Sequence, residues 1–360
     1  SLHEAASDNN LKFPLTFGAR GSATIGGVLS TNAGGSNVLK YGSTRDLVLG
    51  VEIVLPNGEI MNLMSELHKD NSGYCLRDLV IGAEGTLGIV TKAVVKLFPK
   101  PKAYATAMVA VKNLDGALVL LNELQDGTGG AVAAYEYMPK RYIQGYLQLS
   151  DAYRKPFEKD YDHLIMVELE TTVKLFSQSR DDGQVLLSVE LERILNENFE
   201  KGLILDAHIA QNEEQRLIMW ERREAATEIS LLKKPLINND IAVPLEKVSK
   251  FLEIMEKKLP DLDPSADVFI VSHLGDGNVH YGVWPSQDDQ KHKEKIMELV
   301  EGVVLSLAGS FSAEHGIGLS KLSSMERRKD RVSLDVMRQI KNALDPEDIM
   351  NPGKVLPKVN

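Results

Sequence analysis

The chain has 360 residues, of which 43% are hydrophobic, and its formal net charge is −10. That length favours two domains over a single core, and the acidic balance without a Lys/Arg-rich block argues against a nucleic-acid partner. No apolar run approaches the roughly 20 residues that cross a bilayer. The single cysteine, Cys75, excludes an internal disulfide framework and is predicted to be a packing residue.

The first hundred residues are rich in glycine and in short apolar runs. Residues 51–55 followed by Asn57-Gly58 predict a strand that enters a hairpin, and residues 89–97 predict another strand. Three glycine motifs fit neither a P-loop nor a dinucleotide fingerprint, and taken singly each is explained by tight turns. These motifs are Gly21-Ser22-Ala23-Thr24-Ile25-Gly26-Gly27, Thr31-Asn32-Ala33-Gly34-Gly35 and Ile81-Gly82-Ala83-Glu84-Gly85-Thr86-Leu87-Gly88-Ile89.

From about residue 104, short strand-like runs alternate with helical periodicity. This alternation of short elements favours an α+β domain with antiparallel strands. Gly309 follows the last apolar stripe of the helix at 291–307 and is predicted to cap it. The predicted strands are 107–111, 131–137, 164–169, 203–209 and 268–271, and the predicted helices are 117–124, 181–196, 213–232, 245–259, 291–307 and 334–344.

The most distinctive feature is a histidine pair that flanks Asp276-Gly277, a dipeptide typical of a two-residue type I′ turn. Such a turn would place His273 directly opposite His280, with Cβ atoms roughly 4.5–5.5 Å apart, so that both imidazoles could bind one ion. A divalent ion held by two histidines requires a carboxylate and an open position, and Glu314 is the candidate carboxylate. The alternative is a tight turn beside two unrelated histidines.

The predicted helix 213–232 carries Trp220, Arg223 and Thr227 on one stripe. Arg223 could hold a carboxylate through two parallel hydrogen bonds. The alternative is that the arginine lies on a solvated helix face.

Taken together and in order, the motifs resemble the FAD-dependent 2-hydroxyacid dehydrogenases of the vanillyl-alcohol-oxidase (PCMH) type. The resemblance is to the branch that includes enzymes acting on D-2-hydroxyglutarate, D-lactate and glycolate, and it covers nearly the whole chain. The motifs that carry it are Gly26-Gly27, Thr31 to Gly35, Tyr41-Gly42, Leu55 to Gly58, Glu84 to Ile89, Trp220 to Glu224, His273 to His280, Ala313 to Gly316 and Asn351 to Lys354.

The resemblance implies an α+β fold in which a ferredoxin-like antiparallel cap domain is inserted into a PCMH-type FAD-binding domain. It places a partial FAD-binding domain at 1–103, the substrate or cap domain at 104–310, and a segment that returns to the FAD domain at 311–360. The family's first FAD subdomain precedes the segment resembled here, so we expect a fragment or a second source for that half. The implied FAD-contacting residues are Ser22, Gly26, Gly27, Thr31, Asn32, Gly35, Gly85, Gly88, Ile89 and Asn351.

The resemblance also assigns catalytic roles. His273, His280 and Glu314 would bind a divalent metal, with zinc first and Mn, Fe or Co as alternatives, and the ion would hold the substrate as a Lewis acid. His315 would be the general base, while Arg223 and Thr227 would bind the substrate carboxylate. The alternative for His315 is a structural histidine bonded to backbone.

Two positions depart from the 2-hydroxyglutarate branch. Asn238 replaces an expected lysine, and Gly282 replaces an expected asparagine. Both changes remove groups that would meet a substrate carboxylate or hydroxyl. The reactive end of the site is therefore expected to persist while recognition of the distal end has changed.

The resulting prediction is an oxidoreductase acting on CH–OH groups, which oxidises a D-2-hydroxyacid to the 2-oxoacid by hydride transfer to FAD. The electrons would then pass to an acceptor protein or a quinone. A homodimer is compatible with this sequence, and no transmembrane segment or nucleic-acid partner is expected. The compartment would be the cytoplasm of a bacterium or the mitochondrial matrix of a eukaryote. The alternatives are a metallohydrolase that uses the His/His/Glu site and a non-catalytic or truncated homologue.

Overall fold

The structure is a computed structural model and describes residues 1–18, 21–181 and 183–358. Its contacts divide the chain into two compact units. The first comprises Ser1–Gly35, Tyr41–Phe98 and Ser312–Asn360, and the second comprises Ser36–Lys40 and Pro99–Phe311. The domain borders predicted at 103 and 310 stay a prediction, because compactness does not test which segments fold or bind independently.

The N-terminal part holds short helices and a three-stranded antiparallel sheet of order β3-β2-β4. The hairpin predicted at Asn57-Gly58 is confirmed: Leu55 donates its N–H to the Glu59 carbonyl at 2.9 Å, and Gly58 adopts φ +85°. Cys75 is exposed, so the prediction of a packing role was wrong. The elements are α1 Leu2–Asp8, β1 Leu11–Lys12, α2 Ile25–Thr31, α3 Val38–Tyr41, β2 Val48–Val54, β3 Ile60–Leu63, α4 Leu76–Val80, β4 Ile89–Val95 and β5 Phe98–Pro99.

The second unit is built on a seven-stranded antiparallel sheet, as far as the described residues show, of order β10-β12-β11-β7-β8-β6-β9. Its strands are β6 Ala103–Val111, β7 Val132–Pro139, β8 His163–Thr171, β9 Ile204–Ile209, β10 Ile237–Ala242, β11 Asp267–His273 and β12 Asn278–Trp284. Its helices are α5 Leu114–Thr128, α6 Lys140–Leu149, α7 Leu186–Glu200, α8 Glu213–Glu224, α9 Ala226–Ser230, α10 Val248–Leu262 and α11 Gln290–Ser306, with a 3₁₀ turn at Leu245–Lys247.

The connectivity β6-α5-β7-β8-α7-β9, with strands ordered β7-β8-β6-β9, is that of a ferredoxin-like unit. Strands β11, β12 and β10 extend this unit from the free edge of β7. The α+β class and the antiparallel sheet predicted from the sequence are therefore confirmed.

Helices cover both faces of the sheet. Helices α5, α7, α10 and α11 pack on one face and bury the larger apolar core. Helices α6, α8 and α9 cover the other face, where the apolar core is smaller and centres on residues such as Tyr142, Met166 and Phe269. The candidate site lies on this second face.

Several predicted boundaries needed correction. The predicted helix 213–232 is broken at Ala225 into α8 and α9, and the predicted helix 181–196, whose range includes the undescribed Asp182, begins only at Leu186. Gly309 takes part in the end of α11 as predicted, since its N–H donates to the Val304 carbonyl at 2.9 Å, although the left-handed residue is Ala308, at φ +62°. Gly309 also allows close backbone packing, because a Cβ there would lie 2.3 Å from the Ala242 carbonyl oxygen. Helix α6 and strand β10 were not predicted.

The chain ends with α12 Leu322–Arg328 and α13 Arg331–Leu344, both in the first unit. Buried Lys341 donates to the carbonyls of Thr86 and Met350 and pairs with Asp345. These contacts fasten the C-terminal segment to the glycine-rich loop that contains Thr86.

Candidate metal and substrate site

Two histidines lie together on the extension of the sheet, although not in the predicted register. His273 pairs with Asn278, and His280 pairs with Val271, so the prediction that the two histidines face each other was wrong. The turn has four residues rather than two. His280 is therefore the diagonal neighbour of His273 on the same face, a position still within reach of long side chains. The ring centroids are 5.4 Å apart with an interplanar angle of 78°.

The longer turn has a backbone cause. Gly277 takes φ +80°, and its carbonyl accepts the Val243 N–H at 3.1 Å, which ties the turn to the end of β10. A Cβ at Gly277 would lie 2.2 Å from the Val243 carbonyl oxygen, so only glycine fits. Asp276 supports the turn as predicted, since its carboxylate accepts the Asn278 N–H at 3.1 Å.

A buried carboxylate on a neighbouring strand stands opposite each histidine. Glu136 on β7 pairs with His273, and its Oε1 lies 2.9 Å from His273 Nδ1. Asp240 on β10 pairs with His280, and its Oδ1 lies 3.6 Å from His280 Nδ1. Glu136 is 0% and Asp240 1% exposed. Sequence reasoning missed both residues. For Glu136 the available signal was a lone carboxylate in the otherwise apolar run Ala131 to Met138, whereas Asp240 follows two asparagines and carries no such signal.

Arg223 completes this cluster from helix α8. Its Nε donates to Glu136 Oε2 at 2.5 Å, and its Nη2 lies 3.3 Å from both ring nitrogens of His273. The side chain is 8% exposed, so it is not on a solvated helix face. Burial raises the pKa of Glu136, but the charge of Arg223 and the hydrogen bonds with His273 and Arg223 outweigh it and lower that pKa to about 2.

Trp220 and Thr227, the other two residues of the predicted stripe, have surroundings different from those of Arg223. Trp220 donates its indole N–H to Glu168 Oε2 at 2.8 Å, and Arg216 holds the same carboxylate through two hydrogen bonds at 2.6 and 2.8 Å. Thr227 lies beyond the break at Ala225, on α9, and is exposed. The single continuous stripe predicted for Trp220, Arg223 and Thr227 is therefore not formed.

The donor set in the second unit fits a divalent cation. Two imidazoles on one face, each backed by a carboxylate, are the arrangement that metal-binding histidines commonly have. Asn278, the strand partner of His273, has a buried Oδ1 with no hydrogen-bond partner among the described residues. A buried oxygen without a partner is an acceptor that a bound ion or its water would satisfy.

Asn238 and Gly282, the two positions that depart from the 2-hydroxyglutarate branch, also lie on this face of the sheet. Asn238 pairs with Gly282, two residues along from the pair of Asp240 and His280. A Cβ at Gly282 would lie 2.2 Å from Cδ1 of Phe269, whose ring therefore covers the glycine. Asn238 is exposed. The two departures noted in the sequence are thus directly opposite each other, beside an aromatic wall.

Glu314 and His315 belong to the first unit, in a loop that Glu84 organises. The Glu84 carboxylate accepts the N–H groups of Ile317 at 2.7 Å and Gly318 at 2.8 Å. Glu314 lies against the Thr31 to Gly35 motif, since a Cβ on Gly34 would be 3.0 Å from its Oε1. His315 is exposed. The roles of Glu314 as third ligand and of His315 as base stay predictions.

The predicted FAD residues also lie in the first unit. Thr31 and Asn32 end helix α2, and the Asn32 side chain accepts the Arg45 N–H at 2.8 Å. Asn351 donates to the Glu84 carbonyl at 2.5 Å. Ile89 is 58% exposed although it is apolar. Ser22 is exposed as well.

The glycines of this group fall into two classes. A Cβ on Gly35 would lie 2.1 Å from the Thr16 carbonyl oxygen, and one on Gly88 would lie 2.6 Å from Ile53 Cγ2, so the backbone itself requires these two glycines. A Cβ on Gly26 would meet nothing nearer than 4.0 Å, and one on Gly85 nothing within 4 Å, although Gly85 also takes φ +72°, which favours glycine by itself. Gly27 is intermediate, at 3.2 Å from the capping hydroxyl of Thr24. The open space at Gly26 and Gly85 fits a ligand that approaches bare backbone.

Comparison with known proteins identifies most of the chain. Residues 100–355 match the model of the FAD linked oxidases, C-terminal domain, and residues 1–64 match that of an FAD binding domain. Among solved structures, an alkyldihydroxyacetonephosphate synthase superposes with a TM-score of 0.63 at 17% identity, covering 98% of this chain and 63% of that one. This likeness confirms the predicted fold.

Curated relatives are similar over nearly the whole chain. The mitochondrial D-2-hydroxyglutarate dehydrogenase of Arabidopsis thaliana is 35% identical over 348 residues, which are 96% of this chain but 59% of that protein. The D-2-hydroxyglutarate dehydrogenase of Stutzerimonas stutzeri is 32% identical, covering 98% of this chain and 74% of that one. A D-2-hydroxyglutarate–pyruvate transhydrogenase of Saccharomyces cerevisiae is 31% identical, covering 98% and 71%. The chain thus spans less than two thirds of the Arabidopsis protein.

Among the described residues, no helix combines the length and apolarity needed to cross a membrane.

Proposed function

The chain belongs to the FAD-linked oxidases, and we propose that it carries the substrate- and metal-binding part of an enzyme that oxidises a D-2-hydroxyacid to the 2-oxoacid. The observation that supports this most directly is the cluster of His273, His280 and Arg223 on one face of the second unit, held by buried carboxylates. Relatives named D-2-hydroxyglutarate dehydrogenase support the same class of reaction, oxidation of a CH–OH group.

The proposed metal ligands are His273 and His280 as neutral imidazoles and Glu314 as the anionic ligand. Zinc is the first choice for such a set, and Mn, Fe or Co are alternatives. A divalent ion held by these residues would supply Lewis-acid chemistry toward the oxygens of a 2-hydroxyacid.

Arg223 is proposed to bind the substrate carboxylate through its terminal nitrogens. Its Nε is committed to Glu136, which fixes the guanidinium plane before substrate arrives. Thr227 is proposed to add a hydrogen bond, and its exposure leaves the hydroxyl accessible. Both residues would orient the substrate rather than take part in bond breaking.

His315 is proposed to accept the proton of the 2-hydroxyl group as general base. FAD, when bound by the glycine-rich motifs of the first unit, supplies the acceptor for the hydride that leaves C2 with its electron pair. The proton and the hydride together account for the two hydrogens lost when the hydroxyacid becomes the oxoacid. The proposed FAD-contacting residues remain Ser22, Gly26, Gly27, Thr31, Asn32, Gly35, Gly85, Gly88, Ile89 and Asn351.

The electrons are proposed to pass onward to a protein or quinone acceptor, and a homodimer is compatible with the chain. Eukaryotic relatives include a mitochondrial protein. We therefore propose the mitochondrial matrix for a eukaryotic source and the cytoplasm for a bacterial one.

The test uses the protein purified with its flavin. Under anaerobic conditions, a D-2-hydroxyacid should bleach the flavin absorbance, whereas the L enantiomer should not, and removal of metal with a chelator should abolish the bleaching until metal is restored. His280→Ala should behave like the metal-free protein. If no D-2-hydroxyacid bleaches the bound flavin, or if metal-free His280→Ala turns over fully, the proposal is wrong.

A further inference from the structure

We propose that Glu136 and Asp240 are positioning residues, which orient His273 and His280 toward the ion, and that Glu136 also fixes Arg223. This inference rests on the proposed function, because it assigns the histidines to a metal. Both carboxylates lie on the second face of the sheet and would act through the imidazoles rather than touch the substrate.

The sheet register places each acid beside its histidine. Glu136 is the strand partner of His273, and Asp240 is the strand partner of His280. The two acid–imidazole pairs therefore lie side by side on strands β10, β12, β11 and β7, offset by two residues, with the acids on the outside and the imidazoles between them. Paired residues on neighbouring strands point to the same face, so the arrangement follows from the register itself.

Glu136 selects the ring nitrogen that His273 presents. The ionised carboxylate only accepts hydrogen bonds, so Nδ1 of His273, 2.9 Å away, carries the hydrogen. Nε2 then carries the lone pair, which lies 3.3 Å from Arg223 Nη2 and which a metal would take in place of that donor. A carboxylate behind a metal-binding imidazole also raises its basicity as a ligand.

The same carboxylate links the metal and the substrate side of the site. Its second oxygen accepts Arg223 Nε at 2.5 Å, so one fully buried group sets both the imidazole and the guanidinium. Both oxygens of Glu136 lie 2.9 Å from His273 Nδ1, so the imidazole and the guanidinium share one carboxylate. Loss of Glu136 would therefore displace His273 and Arg223 together.

Asp240 holds His280 less tightly. Its Oδ1 is 3.6 Å from His280 Nδ1, beyond a good hydrogen bond. The same oxygen accepts the Asn278 amide at 2.9 Å, which anchors the carboxylate beside the ring. We therefore expect a smaller effect at Asp240 than at Glu136.

A purely structural role makes a different prediction, and Glu168 provides the matched control. It is likewise buried, lies on β8 next to β7, and holds Arg216 and Trp220 of the same helix that carries Arg223. Among the described residues, the hydrogen-bond partners of Glu168 are Thr106, Arg216 and Trp220, and none is an imidazole. Glu136→Gln and Glu168→Gln each remove a buried anion from an arginine, so both should lower the unfolding midpoint.

The experiment measures Co²⁺ and Zn²⁺ affinity of the purified protein by chelator competition, together with the Co²⁺ visible spectrum. Glu136→Gln should weaken metal binding by about 10- to 100-fold, and Asp240→Asn should weaken it less. Glu168→Gln should stay within about two-fold of the unmodified protein. Because Glu136→Gln could fail to fold, Glu136→Asp serves as a second variant that keeps the charge, and an intermediate loss of affinity is expected.

The outcomes separate this inference from the proposed function. If the unmodified protein binds neither Co²⁺ nor Zn²⁺, the metal part of the proposed function fails. If it binds metal but Glu136→Gln binds equally well, or if Glu168→Gln loses as much affinity, the positioning role alone is refuted.

Discussion

Replacing Asn238 by lysine tests which hydroxyacids the site accepts. Asn238 is exposed and stands opposite Gly282, two residues along the strand from the pair of Asp240 and His280. Two residues of a strand span about 6.8 Å. A lysine at 238 would therefore reach the far end of a substrate whose reactive end lies at the histidines, whereas Phe269 now presents an aromatic wall there.

The size of the effect follows from exposure. An ion pair at an exposed position contributes up to about 1 kcal/mol, which is about a five-fold change in an affinity or specificity ratio. Restoring an asparagine at Gly282 is a poorer test, because its Cβ would lie 2.2 Å from the Phe269 ring and overpack the site.

The assay compares kcat/KM for D-2-hydroxyglutarate with that for D-2-hydroxybutyrate, which lacks the distal carboxylate. The unmodified protein should favour the monocarboxylate, and Asn238→Lys should shift the ratio about five-fold toward the dicarboxylate. Asn238→Gln, which keeps polarity without charge, should leave the ratio unchanged. An unmodified protein that prefers the dicarboxylate, or an equal shift in both variants, would refute the reasoning.

Three further predictions concern the metal, the turn and acid stability. His280→Ala should abolish stoichiometric zinc binding, measured by metal analysis after dialysis; retained zinc would contradict the ligand assignment. Gly277→Ala should destabilise the second unit by at least about 1–2 kcal/mol, because φ +80° is unfavourable for alanine and the new Cβ would collide with the Val243 carbonyl. Denaturant unfolding measures this loss of stability, and an unchanged midpoint would contradict the prediction. Burial raises the pKa of Asp263, but hydrogen bonds from His292 and Ser286 outweigh it and lower that pKa from 3.8 to about 2. Its contribution is therefore complete above about pH 4 and is lost as the pH falls to about 2; unfolding midpoints across that range should fall less steeply in Asp263→Asn, and identical slopes would exclude this contribution.

The sequence predicted elements best where periodicity is strong. The stripe at 291–307 matches helix α11 to within a residue at each end, and the hairpin around Asp276-Gly277 forms. The register within that hairpin was not predictable, because the contact between Gly277 and Val243 that lengthens the turn joins residues far apart in the chain. The break at Ala225 carries no proline or glycine to announce it.

The histidines of the site could be predicted from the sequence, but the carboxylates could not, for a related reason. Histidines are rare in this chain and draw attention, whereas Glu136 sits inside an apolar strand and gains meaning only through its partners. Those partners, Arg223 and His273, lie 87 and 137 residues further along. Only the assembled sheet brings them to one carboxylate.

The ladder between β7 and β11 is short and runs through Ser272 with Tyr137 and His273 with Glu136. Glu136 belongs to the ferredoxin-like strands and His273 to the appended strands. Their hydrogen bond therefore forms only when β11 pairs with β7. Both proposed imidazole ligands lie on the appended strands, so a bound cation would be linked to the ferredoxin-like strands only through the hydrogen bond between His273 and Glu136, and its release would leave this short ladder without that reinforcement.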